Sequence, residues 1–102
     1  MSEDRRFSVK FTASAAKGYQ ALGNAAKRRA NSALDALSIA PGIGMVYDSY
    51  YEAARLPYEV RVVHTGNYGI YYNYDNQKRI IYVRFIEDER RGPLKRLSSR
   101  IH

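Results

Sequence analysis

At 102 residues, with 45% hydrophobic and 26% charged residues, the chain has the length and balance of one folded domain over residues 1–102, not of a disordered segment or of two independent units. The absence of cysteine excludes a disulfide framework and a thiolate metal site. The formal charge is +7, and the apolar stretches fall far short of the roughly 20 residues that a membrane span needs.

No apolar signal region follows Ser2-Glu3-Asp4-Arg5-Arg6, so the cytoplasm is the expected compartment and no membrane partner is expected. Residues 5–11 alternate, with Phe7, Val9 and Phe11 on one face and Arg6, Ser8 and Lys10 on the other, which predicts a half-buried strand. Thr12 is placed to cap a helix over Ala13 to Leu22, and Gly23-Asn24 breaks it. Asn24 then caps a second helix whose apolar stripe is Ala26, Ala30, Ala33, Leu34 and Leu37. Pro41-Gly42 and Gly44 end it, and the two helices form a hairpin.

Residues 42–57 carry no clean period and read as an irregular connection. Beyond Tyr58 the pattern becomes that of strands: Glu59 to Thr65, Tyr68 to Asp75 and Lys78 to Glu87, separated by the turn signals Gly66-Asn67 and Asn76-Gln77. In the last strand Ile81, Val83 and Phe85 fall on one face, and Ile80, Tyr82, Arg84 and Ile86 on the other. After Pro93, Leu94, Leu97 and Ile101 permit one short amphipathic helix.

The expected fold is therefore α+β with two layers: an N-terminal strand and a helical hairpin packed on a curved, mainly antiparallel, four-stranded sheet, with a short C-terminal helix. Phe7, Val9, Phe11, Leu34, Leu37, Val60, Val62, Ile70, Ile81, Val83 and Phe85 form the expected core, leaving the second face of the sheet free for function.

Charge is unevenly placed. Residues 78–102 hold eight basic residues against three acidic ones, a polyanion-facing pattern. Nine of the ten tyrosines fall between residues 47 and 82. Tyr71 and Tyr82, placed on the open face between arginines, are candidates for stacking on unpaired bases. Arg84 shares a face with Tyr82. Gly42 and Gly44 lack the Lys-Ser/Thr context of a phosphate-cradling loop, and no metal cluster or nucleotide cofactor is indicated.

Several segments, in this order and at this length, resemble the RelE/ParE superfamily of bacterial type II toxins. They are Phe7-Ser-Val-Lys-Phe-Thr12 running into an Ala-rich helix, Ala33-Leu-Asp-Ala-Leu37 followed by Pro41-Gly42, Glu59-Val-Arg-Val62 with Gly66-Asn-Tyr-Gly-Ile-Tyr-Tyr72, and Ile80-Ile-Tyr-Val-Arg-Phe-Ile86 before Arg90-Arg91. The resemblance implies a toxin held by a cognate antitoxin protein. It further implies one of two activities: metal-independent cleavage of messenger RNA, often on the ribosome, or inhibition of DNA gyrase without nuclease chemistry. A non-catalytic RNA-binding module is a third reading.

For RNA cleavage, the resemblance points to Arg61 and Arg90 as catalytic residues, and the strand period adds Arg84. Arg91, Lys95 and Arg96 join Tyr71 and Tyr82 as nucleic-acid-binding candidates. A guanidinium suits the phosphorane because its fork meets two oxygens at once. Two positions depart from the nuclease pattern: Gly69 stands where an Arg is common in the middle strand, and Lys95-Arg96 stands where a tail aromatic is expected. Arg84, Arg91 and His64 are the available substitutes, and Met45, Val46, Tyr47, Tyr50 and Tyr51 are candidates for the antitoxin contact.

Overall fold

Thr12 shows how the first layer is tied to the second. In the computed structural model, which describes residues 6–47 and 59–91 (backbone alone for Arg91), strand β1 (Ser8–Phe11) leads through Thr12 into helix α1 (Ala13–Gln20). The Thr12 hydroxyl accepts from the Ala15 N–H at 3.1 Å, as an N-cap should, and donates to the Arg84 carbonyl at 2.6 Å. Helix α2 (Asn24–Ile39) follows after three residues, and Ala30, Leu34 and Leu37 are buried along one stripe. Its N-cap is Gly23, not Asn24, and no side chain caps it. A 3₁₀ turn, Pro41–Ile43, ends the helical layer.

The expected four-stranded sheet has five strands. Met45–Val46 forms a two-residue strand, β2, inside the stretch read as irregular. It pairs with β3 (Arg61–Thr65), which pairs with β4 (Tyr68–Asp75), which pairs with β5 (Ile80–Asp88), all antiparallel. β1 adds to the far side of β5 in parallel, giving the order β1-β5-β4-β3-β2. The β3–β4 turn uses Gly66 at φ 61°, and in the β4–β5 turn the Asp75 carboxylate accepts from the Gln77 and Lys78 N–H groups at 2.9 Å each. Residues 92–102, and with them the expected C-terminal helix, lie outside the described residues.

The strict alternation expected for β5 fails at one residue. Tyr72 pairs with Val83 but Tyr71 pairs with Phe85, so Arg84 is an extra residue, a β-bulge. The bulge reverses the pleat: Ile81, Val83 and then Ile86 face the helices, while Phe85 turns to the other side. The Arg84 carbonyl accepts the Thr12 hydroxyl there. Hydrophobic residues therefore divide between two clusters instead of one core. The larger lies under the helices and includes Phe7, Leu34, Leu37, Ile70, Tyr72 and Ile81. The smaller, Val60, Val62, Tyr71 and Phe85, occupies the face expected to be free, and Phe11 is left exposed.

Tyr72 anchors the loop that ends α2. Fully buried, its hydroxyl donates to the Pro41 carbonyl at 2.5 Å and accepts from the Gly44 N–H at 3.0 Å. Gly44 must be glycine for this approach, since a Cβ there would lie 2.6 Å from the hydroxyl. Burial raises the Tyr72 pKa above the ordinary 10.0. A phenol whose folded pKa is raised contributes stability in full below the unfolded value and loses it as pH rises through the folded one. Tyr72→Phe should cost about 1–3 kcal/mol in denaturant titrations at neutral pH, because the Gly44 N–H loses its acceptor. The wild type should lose stability above about pH 10, and the part of that loss due to this phenol should vanish in the variant.

Candidate functional site

The face of the sheet turned away from the helices carries three of the sequence-predicted groups, Arg84, Tyr82 and Tyr71, and the bulge arranges them. Arg84 lies beside Tyr82, its guanidinium 5.3 Å from the ring centroid, and its Nε donates to Asn73 Oδ1 at 3.1 Å. The strand-period reading thus brings Arg84 and Tyr82 together. Both are partly exposed.

Arg61 meets this group only at Asn73. It is the cross-strand partner of Tyr72, which places it on the helix-covered side near the β2 edge. There its guanidinium donates to the Gly44 carbonyl at 2.8 Å and the Gly42 carbonyl at 3.4 Å. It also lines a polar cleft of about 270 Å³ with Glu59, Asn73, Tyr74 and Asn76. Arg90 lies beyond the opposite end of β5, in the 3₁₀ turn Glu89–Arg91. From Arg84 to the end of the strand is four residues, about 13 Å at ~3.3 Å per residue. Arg90 makes a fork-on-fork pair with Asp88, Nε to Oδ1 at 2.8 Å and a terminal nitrogen to Oδ2 at 2.7 Å. The Asp88 hydrogen bonds and charge hold the Arg90 pKa above its ordinary value. The three arginines are thus dispersed and do not converge on one phosphate.

Tyr71 is corrected outright. It was expected on the open surface, but it is 1% exposed and stacked on Phe85 with ring centroids 4.6 Å apart, because the bulge turns Phe85 onto its side of the sheet. Tyr47 packs edge-on against the same ring at 5.4 Å. Met45 and Val46 are exposed at the β2 edge. Arg91 falls in the 3₁₀ turn, and Lys95, Arg96, Tyr50 and Tyr51 lie outside the described residues.

Sequence reasoning missed Glu89. Its Oε2 accepts the Tyr71 hydroxyl at 2.9 Å, and its Oε1 lies 3.9 Å from His64 Nδ1. The carboxylate occupies the space that Gly69 leaves empty: a Cβ at residue 69 would come 2.3 Å from Oε2. The signal was present as Gly69 itself, a strand glycine marking a close approach. Chemically, the cluster sets an anion where the nuclease pattern has a cation. His64, with 56% of its side chain exposed, has an acid–base partner within reach, but the Glu89 charge repels a phosphate at that spot.

With this geometry in place, comparison identifies the class. Residues 9–92 match the family described as the ParE toxin of type II toxin-antitoxin systems, parDE. The chain belongs to this family. Among solved structures, the toxin's fold is similar to the RelBE2 toxin–antitoxin complex of Mycobacterium tuberculosis, with TM-score 0.64 and 16% identity over 81% of this chain and 98% of that one. It is similar to the archaeal RelE–RelB complex of Pyrococcus horikoshii, at TM-score 0.66 and 17% identity over 85% and 99% of the two chains. The isolated RelE toxin of E. coli gives TM-score 0.66 and 16% identity over 94% and 99%. A search of curated protein sequences finds no match. At these identities the likeness establishes the RelE-type fold, and the family match establishes a toxin of a type II system. Among the described residues, no helix is long and apolar enough to cross a membrane.

The Gly69–Glu89 contact is testable by a double-mutant cycle. Gly69→Ala should cost about 1–3 kcal/mol in urea unfolding by expelling the Glu89 carboxylate from its place on Tyr71. In the Glu89→Ala background the same substitution should cost measurably less, the remainder coming from the buried Tyr71 ring, whose Cε1 a Cβ would meet at 2.9 Å. Equal costs in both backgrounds would show that Glu89 does not fill the gap.

Proposed function

We propose that this toxin arrests growth by binding its target without cutting RNA, and that the target is DNA gyrase. One observation carries this reading. The sheet face that would have to receive an RNA phosphate is packed with Val60, Val62, Tyr71 and Phe85, and bears the Glu89 carboxylate in the gap at Gly69. Cleavage through a 2′-hydroxyl needs cations gathered on the developing phosphorane charge. Here Arg61 is held on two loop carbonyls, Arg90 is held on Asp88, and Arg84 lies between them against Tyr82. The dispersal supports the activity of the family that requires no nuclease chemistry. A cognate antitoxin is the expected partner, in keeping with the type II family and with the fold's likeness to toxins seen in RelBE complexes.

Metal-independent messenger cleavage, on or off the ribosome, is the second reading, and the Arg84–Tyr82–Asn73 group favours it. A guanidinium flanked by a partly exposed ring and an amide is suited to one phosphate and one base. Two assays on one preparation separate the readings. The first reading predicts that the purified toxin blocks supercoiling by gyrase and that messenger from arrested cells stays uncut. Cut messenger with normal supercoiling transfers the assignment to the second reading, in which Arg84→Ala should lower cleavage at least ~100-fold.

A further inference from the structure

The largest run of unbalanced charge lies in the first third of the chain rather than in the tail. From Arg5 to Leu34 there are seven basic residues and no acidic one. The fold gathers four of them at one end. Lys17 is in the last turn of α1, and Lys27, Arg28 and Arg29 follow one another early in α2, just across the hairpin turn. Lys27 sits 5.6 Å from the centroid of the Tyr19 ring on α1, which sets the start of α2 beside the last turn of α1. Arg29 lies on the β3–β4 turn, so close to Gly66 that a Cβ there would come within 2.9 Å of its Nε. None of the four makes an ion pair among the described residues. Three cations near the start of α2 also oppose its dipole, with no acidic residue in the first turn to balance them. Among the described residues no carboxylate balances the four, a mutual repulsion that a polyanion at the hairpin tip would relieve.

We infer that the tip of the α1–α2 hairpin is a binding surface for the phosphate backbone of duplex DNA. Its surroundings decide among polyanions. An acidic protein would need a cluster of apolar anchors at the centre of the contact, but of the exposed large apolar residues Ile39, Ile43, Met45 and Val46 lie at or beyond the other end of α2, and Phe11 is a single ring already packed edge-on against Tyr19. Single-stranded RNA would need open aromatic faces for stacking, but Tyr19, the aromatic of this patch, is partly buried, covered by Lys27 and tied through its hydroxyl to Asn31 at 2.9 Å. Backbone contacts to a duplex need only cations and carry no requirement for sequence. This surface is separate from the sheet face and goes beyond the proposed gyrase reading. Its test contains no gyrase, so either idea can fail alone.

The measurement is fluorescence anisotropy of the full chain with a labelled 30-bp duplex across a salt series. Lys17→Ala/Arg28→Ala is compared with Lys10→Ala/Lys78→Ala, which removes the same charge elsewhere. Both pairs are exposed, Lys17 and Arg28 on helices where alanine is well tolerated, Lys10 and Lys78 on a strand and a turn, so thermal melts should be little changed. The hairpin pair should bind about tenfold more weakly near 0.1 M salt and lower the salt slope by about 1.8, that is ~0.9 for each lost phosphate contact. The control pair should change affinity less than about twofold. Equal weakening by both pairs, or by neither, would overturn the assignment, as would tighter binding to single-stranded RNA or to polyglutamate than to the duplex.

Discussion

The extra residue in β5 constrains most of what this toxin presents to its surroundings. A bulge at Arg84 turns Ile86 under the helices, where the backbone of α1 at Gly18 approaches so closely that a Cβ would lie 2.7 Å from the Ile86 carbonyl. The same bulge sends Phe85 through to the opposite face, where it stacks on Tyr71. The Arg84 carbonyl takes the hydroxyl of Thr12, which also caps α1. Sheet register, helix start and the filling of the second face are thus coupled through two residues distant in sequence.

The chemistry of the open face follows from this packing. Once Phe85 and Tyr71 occupy its middle, the polar groups of this face among the described residues lie towards its ends, Arg84, Tyr82 and Asn73 at one and His64, Glu87 and Glu89 at the other, while Asp88, the cross-strand partner of Tyr68, holds Arg90 on the helix side. Separated cations favour recognition over concerted phosphoryl chemistry, because in a nuclease site attack, charge stabilisation and leaving-group protonation must occur within a few ångströms. The fold shared with RelE-type toxins does not determine which chemistry its surface carries. In this chain the middle of that face is a buried apolar cluster, and a carboxylate fills the space at Gly69.

Much of the architecture was legible in the sequence because it rests on local signals. Alternation marked β1, alanine-rich helical spacing marked the hairpin, and turn residues at 66–67 and 76–77 marked the meander. The bulge was not legible, because a period-2 reading of residues 80–86 is unbroken at the level of residue type and Phe85 suits either face. β2 was missed because two residues are too few to show a period, and its formation depends on Tyr72 holding the preceding loop. For the site, Arg84 and Tyr82 could be paired from the strand period alone. Arg61 and Arg90 were placed by resemblance, and their partners, the Gly42 and Gly44 carbonyls and Asp88, are set by tertiary and turn geometry that spacing does not reveal. Seven cations without an acid between residues 5 and 34 were visible throughout, but only the hairpin gives four of them a common location.

The central claim is that the bulge fills the second face of the sheet, and the nuclear Overhauser contacts of Phe85 and Ile86 in solution test it most directly. The account predicts contacts from the Phe85 ring to Tyr71 and Val62, and from Ile86 to Gly18 of α1. The reverse pattern, Phe85 against Gly18 and Ile86 against Tyr71, would mean that β5 alternates without a bulge, and would contradict the account.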